Sequence, residues 1–300
     1  MKISIREVGL REGVQISKKL IPTESKLAIL KKLGSLPFLK IEATSVVRPD
    51  LVPAHADCKE ILGEIENWPE AEKFTALYLN VKGFLIARNF RVGLEPWIHT
   101  ALDELFLSTN VGRSFNSEKD FFVEIQKVFK ANNFESCKIM VSCAFGYKTS
   151  ASLDELLGRL DNIFGELSMP VDEICLADTL GIATPRKVRQ FVPAVQRYSR
   201  AVSLHLHDTH GLGILNAIEG ANLGVEIFES SICGLGGCPF VHGAAGNVAT
   251  EELVLALQES GYKVDITLDD LLPIIQEVSK LFEGEIHSKL ARKIVTTSKV

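Results

Sequence analysis

Residues 202–207 read Val202-Ser203-Leu204-His205-Leu206-His207. Apolar and polar side chains alternate over this stretch, which is the pattern of a β-strand whose two faces meet different surroundings. Helical patterns flank the strand at residues 185–198 and 212–223. Since a strand between two helices is the repeating unit of a parallel sheet covered by helices, the stretch predicts an α/β fold.

The same strand-and-helix unit repeats along the whole chain. We predict eight strands, at residues 3–8, 38–44, 74–79, 104–108, 138–143, 172–176, 202–207 and 226–232. Eight such units in one chain predict a closed (β/α)8 TIM barrel. A doubly wound open sheet is the alternative. It should have fewer strands and a glycine-rich turn after the first strand, and Gly9-Leu10-Arg11-Glu12-Gly13 is not that fingerprint.

No linker or low-complexity segment divides the chain. The predicted helices lie at residues 23–33, 117–132, 153–164, 185–198, 212–223 and 250–260, with a further helix at 268–282 that should start or bend at Pro273. We therefore predict one TIM-barrel domain over residues 1–300. The barrel should take about residues 1–260 and a short C-terminal helical extension about 261–300.

Composition narrows the class of protein. The 300 residues are 46% hydrophobic and 24% charged, which is ordinary for a globular protein. The net charge is -5 and no Lys/Arg-rich run is present, so we expect no nucleic-acid partner. The N-terminus lacks the apolar core of a signal peptide, and no apolar run approaches a membrane span. None of the six cysteines forms a C-x-x-C pair, so we expect a cytoplasmic protein without a disulfide framework.

Polar side chains gather at the carboxyl ends of the predicted strands. In a TIM barrel these ends form the face that carries the active site. The residues at this face are Arg11, Glu12, Glu42, Asp178, His205, His207, Cys238 and Asn247. Their position, more than their identity, predicts a catalytic site.

The two histidines of the seventh strand suggest a metal site. His205 and His207 are two positions apart, so they share one face of the strand. Glu12 adds a carboxylate from the first strand end, and Asn247 adds an amide oxygen from the loop after the eighth. This mixed ligand set suits Mg²⁺ or Mn²⁺ and could also take Zn²⁺ or Co²⁺.

Structural roles are the alternative for each of these ligands. The histidines could be a chance pair held by hydrogen bonds. Glu12 could form an ion pair with Arg11 or Lys18, and Asn247 could cap the helix that follows it. The pair of histidines alone would favour a purely structural role. Their position at a strand end, together with Glu12 and Asn247, favours a metal-binding site instead.

Three further features lie at the same face. Glu42 ends an apolar strand and should pair with Arg11, because an unpaired buried carboxylate is costly. Asp178 either caps the segment after the sixth strand or lies beside the metal. The glycine-rich loop over residues 233–247 carries Cys238 and can approach a ligand closely or move.

Several of these segments resemble the hydroxymethylglutaryl-CoA (HMG-CoA) lyase family. That family belongs to a superfamily of metal-dependent TIM barrels that also holds isopropylmalate and homocitrate synthases. The segments that carry the resemblance are Glu7-Val8-Gly9-Leu10-Arg11-Glu12-Gly13-Val14-Gln15, Ile41-Glu42-Ala43-Thr44-Ser45, Ala177-Asp178-Thr179-Leu180-Gly181, His205-Leu206-His207-Asp208-Thr209, and Gly234-Leu235-Gly236-Gly237-Cys238-Pro239 with Gly243-Ala244-Ala245-Gly246-Asn247. The last loop is typical of the lyase branch and not of the synthases.

The resemblance implies a role for each matching residue. Glu12, His205, His207 and Asn247 would bind the cation, Arg11 would stabilise an enolate, and Cys238 would be a catalytic thiol on the mobile loop. Glu42 would support Arg11. The residues expected near the metal or the substrate are Gln15, Lys18, Asp178 and Thr179, and those of the mobile loop are Gly234, Gly236 and Gly237.

The implied function is retro-Claisen cleavage of a 3-hydroxyacyl-CoA such as HMG-CoA to acetoacetate and acetyl-CoA. Two departures bear on the substrate: the lyases carry Asp where this chain has Glu12, and residues 142–149 differ from the usual sequence after the fifth strand. The alternatives are a synthase joining acetyl-CoA to a 2-oxo acid, a lyase for another hydroxy acid, and a metal-binding barrel without turnover. We also expect a homo-oligomer, a dimer.

Overall fold

The computed structural model describes residues 1–237 and 246–297. Within them, eight parallel strands form one curled sheet in the order β3-β2-β1-β8-β7-β6-β5-β4. The strands are β1 (Ser4–Glu7), β2 (Lys40–Val46), β3 (Phe74–Tyr78), β4 (Trp97–Ala101), β5 (Cys137–Ser142), β6 (Val171–Asp178), β7 (Ala201–Leu206) and β8 (Ile227–Ser230). The first and last strands of the chain, β1 and β8, pair side by side, as they do in a TIM barrel, and the predicted fold class is confirmed.

Helices follow the strands and cover the outside of the sheet. They are α1 (Gly9–Ile16), α2 (Thr23–Gly34), α3 (Cys58–Ile65), α4 (Val81–Ala87), α5 (Glu104–Phe106), α6 (Phe115–Ala131), α7 (Leu153–Glu166), α8 (Pro185–Val195), α9 (Gly213–Asn222), α10 (Thr250–Glu259), α11 (Leu268–Leu281) and α12 (Lys289–Thr297). Pro273 lies inside α11, which begins after Thr267, whose hydroxyl accepts from the amide of Asp270. None of the described helices has the length and apolar character needed to cross a membrane.

The prediction of the fourth strand at residues 104–108 is wrong. Residues 104–106 form α5, and Leu107–Val111 continue as a π-helical turn. The carboxylate of Asp103 accepts a hydrogen bond of 2.8 Å from the amide of Phe106, so a helix cap precedes the apolar run. The actual strand, β4, is buried at every position, and it therefore lacks the alternation that marks a half-exposed strand.

Side chains, not a backbone ladder, join the two edge strands β3 and β4. The hydroxyl of Tyr78 donates to the carbonyl of Glu95 and accepts from the amide of Trp97, each at 2.7 Å. At the carboxyl end, the guanidinium of Arg113 donates to the carbonyls of Leu79 and His99, each at 2.5 Å. These contacts close the barrel where the hydrogen-bonded sheet ends.

The C-terminal helices hold the base of the glycine-rich loop. The carbonyl of Cys233 accepts hydrogen bonds from the amides of His287 (3.2 Å) and Ser288 (3.1 Å). The carboxylate of Glu252 accepts from the amides of Lys289 and Leu290 at the start of α12, where the helix dipole favours negative charge. The extension is thus anchored beside the carboxyl end of β8.

Candidate active site

Strand β7 and the residue directly after it place two imidazoles at the carboxyl-end face of the barrel. His205 and His207 are buried, with 6% and 4% of their surface exposed, and both line one cavity. Their Nε2 atoms lie 3.1 Å apart. The alternation seen in the sequence therefore puts both rings at a single point, as predicted.

Glu12 and Asn247 approach the same point from other elements. Glu12 lies on α1, and its Oε1 atom is 3.8 Å from Nε2 of His205. One ligand atom from each of Glu12, His205 and His207 can be chosen so that all lie within 4.8 Å of one another. The amide of Asn247 donates to Oε2 of Glu12 at 2.9 Å. Helix α10 begins at Thr250 with Ala249 as its cap residue, so the alternative that Asn247 caps this helix is wrong.

The donor set fits a divalent cation. The two Nε2 atoms are 3.1 Å apart, close enough to bind one ion together. The side-chain oxygen of Asn247 is buried and has no hydrogen-bond partner among the described residues. Because buried polar atoms nearly always have a partner, a cation beside this oxygen would account for it.

The charges at the site favour a bound cation. Burial raises the pKa of Glu12, but the opposing effect of Arg11 and the two imidazoles is larger. The pKa is therefore lowered to about 2, and the carboxylate is ionised. Burial and the neighbouring His205 lower the pKa of His207 to about 4, so its ring is neutral near pH 7. Burial lowers the pKa of His205, whereas Glu229 and Glu12 raise it more strongly. The ionised Glu12 and the neutral ring of His207 are donors that a divalent ion binds, and His205 would lose its proton on binding the ion.

Arg11 is fixed between two carboxylates. Its Nε and NH2 atoms both lie 2.7 Å from Oε2 of Glu42, and its NH1 atom lies 2.9 Å from Oε1 of Glu12. Burial raises the pKa of Glu42, and Arg11 opposes that rise. The predicted pairing of Glu42 with Arg11 is present, and it holds the guanidinium beside the candidate metal ligands.

The cavity at this face has a volume of about 200 Å³. Its wall near the candidate ligands is polar, and its remaining wall is mainly apolar. The residues that line it are Arg11, Glu12, Gln15, Ile16, Leu77, Leu79, His99, Phe106, Asn110, Val111, Met140, Ser142, Ala177, Thr179, His205, His207 and Gly237. A larger cavity, of about 540 Å³, borders α6 and α7 and contains none of these candidate ligands.

Of the other residues predicted to lie near the metal or the substrate, some line this cavity and others do not. Gln15 and Thr179 line the cavity, and the Thr179 hydroxyl accepts from the amide of Cys143 at 2.8 Å. Asp178 accepts from the amides of Ile182 and Ala183, which is the capping role weighed for it, and burial raises its pKa to about 6. Lys18 is outside the lining, and its backbone amide donates to Glu285.

The base of the glycine-rich loop packs directly on the candidate ligands. Gly236 has a φ of +94°, and a Cβ placed there would lie 2.5 Å from Nδ2 of Asn247 and 2.8 Å from Cβ of Glu12. Gly234 also has a positive φ, and Gly237 lines the cavity. Cys238 falls outside the described residues, so its predicted role stays a prediction.

Two residues of the site were not found from the sequence. Glu229 on β8 is 6% exposed and lies 2.9 Å from Nδ1 of His205. A carboxylate inside an apolar strand was a signal that could have revealed it. His99 lines the cavity from β4, and it was missed because the fourth strand had been placed later in the chain.

The fold and the site define a TIM-barrel enzyme with a candidate divalent-metal centre at the carboxyl-end face. The HMGL-like family model matches residues 2–278. The chain belongs to the HMGL-like family, and it is a carbon–carbon lyase. The predicted resemblance is thereby confirmed.

Named relatives agree with this assignment. The mitochondrial hydroxymethylglutaryl-CoA lyase of Bos taurus is 33% identical over 97% of this chain and 89% of that protein. The cytoplasmic 3-hydroxy-3-methylglutaryl-CoA lyase of Homo sapiens is 30% identical over 97% of this chain and 78% of that protein.

Solved structures are similar over almost the whole chain. An HMG-CoA lyase of Acinetobacter baumannii, solved with coenzyme A and 3-methylmalate, superposes with a TM-score of 0.87, at 28% identity and over 97% of this chain and 94% of that one. The hydroxymethylglutaryl-CoA lyase of Pseudomonas aeruginosa also superposes with a TM-score of 0.87. It is 26% identical, and the match covers 99% of this chain and 98% of that one.

Proposed function

We propose that this chain cleaves a 3-hydroxyacyl-CoA thioester by a metal-dependent retro-Claisen reaction, with HMG-CoA the first substrate to test and acetoacetate and acetyl-CoA the products. The observation that carries the proposal is the convergence of Glu12, His205 and His207 on one point, with Arg11 in contact with Glu12. The lyase names of the relatives support the substrate.

Mg²⁺ or Mn²⁺ is the proposed cation. Glu12, His205, His207 and the oxygen of Asn247 would hold it, and oxygen-rich mixed sites of this kind suit these ions, with Zn²⁺ or Co²⁺ as alternatives. The ion would polarise the substrate's hydroxyl and carbonyl oxygens.

The side chains of this chain account for the remaining chemistry. The hydroxyl at C3 loses its proton, the bond between C2 and C3 breaks, and the electron pair becomes the enolate of acetyl-CoA. Glu12, or a water held at the cation, would accept the hydroxyl proton, and the guanidinium of Arg11 would stabilise the enolate oxygen. Glu42 orients Arg11 through two contacts of 2.7 Å.

A proton must return to C2 of the enolate. Cys238 is the proposed donor. It directly follows Gly237, which lines the cavity, so the chain enters the loop at the reacting face.

A synthase that joins acetyl-CoA to a 2-oxo acid is the rival function. Glu12 in place of Asp favours it, because glutamate at this position is familiar from homocitrate synthases. The loop over residues 233–247 opposes it, since its sequence is typical of the lyase branch. The rival would release free CoA, whereas the lyase would release acetyl-CoA.

One experiment separates the two functions. The purified protein is incubated with Mg²⁺ or Mn²⁺ and either HMG-CoA or acetyl-CoA plus a panel of 2-oxo acids, and products are identified by mass. We expect acetoacetate and acetyl-CoA from HMG-CoA, no turnover after chelation, and none in His207→Ala. Free CoA released only in the presence of a 2-oxo acid would overturn the proposal.

Two further points are part of the same proposal. The five described cysteines are buried and form no disulfide with one another, which supports a cytoplasmic location. The expected dimer is proposed from the resemblance and can be measured by light scattering.

A further inference from the structure

His99 has a polar ring and lines the active-site cavity. It lies on the edge strand β4, which is three strands away from β7 in the sheet. It is in the middle of this strand and is only 7% exposed. Its ring packs near those of Tyr78 and Trp97, with centroid distances of 6.4 and 6.3 Å. Arg113 fixes its backbone through the carbonyl. The ring is therefore held in place before any ligand arrives.

The ring nitrogens of His99 lack a hydrogen-bond partner within residues 1–237 and 246–297. The one hydrogen bond that His99 makes in this part of the chain is that of its carbonyl to Arg113. His99 lines the cavity, where water or a bound ligand can form hydrogen bonds with its ring. Because the ring borders the cavity, the occupant of the cavity is the group placed to satisfy it.

The wall around His99 is mainly apolar. Strands β3, β4 and β5 and the turn after β4 form this wall, which has two further polar residues, Asn110 and Ser142; its apolar side chains are Leu77, Leu79, Phe106, Val111 and Met140. Met140 is the register partner of His99 on β5. Among the described lining residues, Arg11 is the one Lys or Arg, and it is already paired with Glu12 and Glu42.

His99 is a neutral hydrogen-bonding group in this wall. Burial, together with the neighbouring cations Arg11 and Arg113, lowers the pKa of His99 to about 3. The neutral ring offers one N–H donor and one acceptor. In a mainly apolar wall a donor of this kind discriminates between substrates, because a substrate that lacks the matching oxygen leaves the donor unsatisfied.

We propose that His99 determines acyl specificity by donating a hydrogen bond to an oxygen on the C3 branch of the substrate, so that thioesters with an oxygen-bearing branch are cleaved in preference to those with alkyl branches. The inference rests on the proposed function. HMG-CoA belongs to the favoured class, because its branch ends in a carboxylate. His99 is thus a specificity-determining residue for the acyl group, separate from the groups that bind the cation.

The test compares two thioesters of matched shape. HMG-CoA carries a branch that ends in a carboxylate, and 3-hydroxy-3,5-dimethylhexanoyl-CoA carries one that ends in an isopropyl group. We measure kcat and KM for both in the wild type, His99→Phe, His99→Leu, His99→Asn and His99→Gln. Met140→Leu is the matched control, since it changes the same wall and keeps it apolar. Mn²⁺ affinity, measured by calorimetry, reports whether the metal centre of each variant is intact.

We expect His99→Phe and His99→Leu to lower kcat/KM for HMG-CoA by about ten- to a hundredfold, mainly through KM, with unchanged Mn²⁺ affinity. The preference for HMG-CoA over the isopropyl ester should fall by at least about tenfold, and Asn or Gln should restore part of it. Met140→Leu should keep the wild-type preference.

The possible failures are distinguishable. If His99→Phe and His99→Leu bind Mn²⁺ and keep the wild-type preference, the inference is overturned while the proposed function stands. If the wild type binds Mn²⁺ but cleaves neither ester, the proposed function is overturned and the inference with it.

Discussion

Nδ1 of His205 lies 2.9 Å from Oε2 of Glu229, and both side chains are buried. When the ring is neutral and Nδ1 donates its hydrogen to this carboxylate, Nε2 carries the lone pair that a cation would bind. The other oxygen of Glu229 is 4.0 Å from NH1 of Arg6, and Arg6 forms a two-point ion pair with Glu173 on β6. The orientation of His205 is therefore supported by a charge network inside the barrel.

Replacing Glu229 should weaken metal binding. We expect Glu229→Ala to lower Mn²⁺ affinity by about ten- to a hundredfold, because the imidazole loses the partner that fixes its orientation. Glu229→Gln should have a smaller effect, since its amide oxygen still accepts the hydrogen bond. Calorimetric titration with Mn²⁺ measures both, with the exposed-pair variant Glu219→Gln as the control. Wild-type affinity in Glu229→Ala would refute the role assigned here.

Arg11 and Glu42 should act as one unit in catalysis. Glu42→Gln is expected to lower kcat by about ten- to a hundredfold with little change in KM, because the guanidinium loses the carboxylate that orients it. In an Arg11→Lys background the same change should have a much smaller effect, since residues in contact are not additive. Steady-state kinetics on the four proteins of this cycle test the coupling.

The control for this cycle is a pair of the same chemistry away from the site. Arg48 and Asp50 form an exposed ion pair, so Asp50→Asn should leave kcat unchanged. Purely additive effects of Arg11→Lys and Glu42→Gln would show that the two residues contribute independently.

Periodicity predicted the parts of the structure in which a strand has two different faces. The alternation over residues 202–207 correctly placed both histidines of β7 on one face. It failed at β4, where all five residues are buried and no alternation exists. The apolar run that was predicted to be this strand follows Asp103. The carboxylate of Asp103 caps a helix, so the run is helical instead.

Contacts between distant residues are the part of the site that periodicity could not supply. The ligands were predicted from their positions at strand ends, and the end of a strand can be predicted from the sequence of a single strand-and-helix unit. The contact of Glu229 with His205 depends on the register between β7 and β8, where His205 pairs with Glu229. The role of His99 likewise depends on which face of β4 meets the cavity.

The pH dependence of stability should reveal the buried carboxyl of Glu251. Burial raises its pKa to about 7 from the ordinary value of 4.5. The folded state then binds more protons than the unfolded state between these two values. The stabilisation is fully present below pH 4.5 and is lost as the pH rises through 7, a loss of about 3 kcal/mol.

Glu251→Gln removes this titration. Its Tm relative to the wild type should therefore increase between pH 5 and pH 8, as measured by calorimetric scans at each pH. Glu60→Gln, at an exposed position on α3, is the control and should show a constant difference. A constant difference for Glu251→Gln as well would mean that Glu251 is ionised in the folded protein over this range.

Arg113 should stabilise the junction between β3 and β4, where the described sheet has no backbone ladder. Arg113→Met keeps an apolar side chain of similar length but removes the guanidinium, which donates to the carbonyls of Leu79 and His99 and lies over the ring of Phe121. We expect the free energy of unfolding in urea to fall by about 2–4 kcal/mol, because two carbonyls lose a charged donor. Hydrogen exchange should also become faster in the peptides that cover β3 and β4, and change less in those that cover β6 and β7, because the junction opens locally.

Arg200→Met, at a highly exposed surface position, is the matched control and should change the free energy of unfolding by less than about 0.5 kcal/mol. If Arg113→Met behaves like this control, the hydroxyl of Tyr78 suffices to hold the two strands together, and Tyr78→Phe should then cause the loss expected of Arg113→Met.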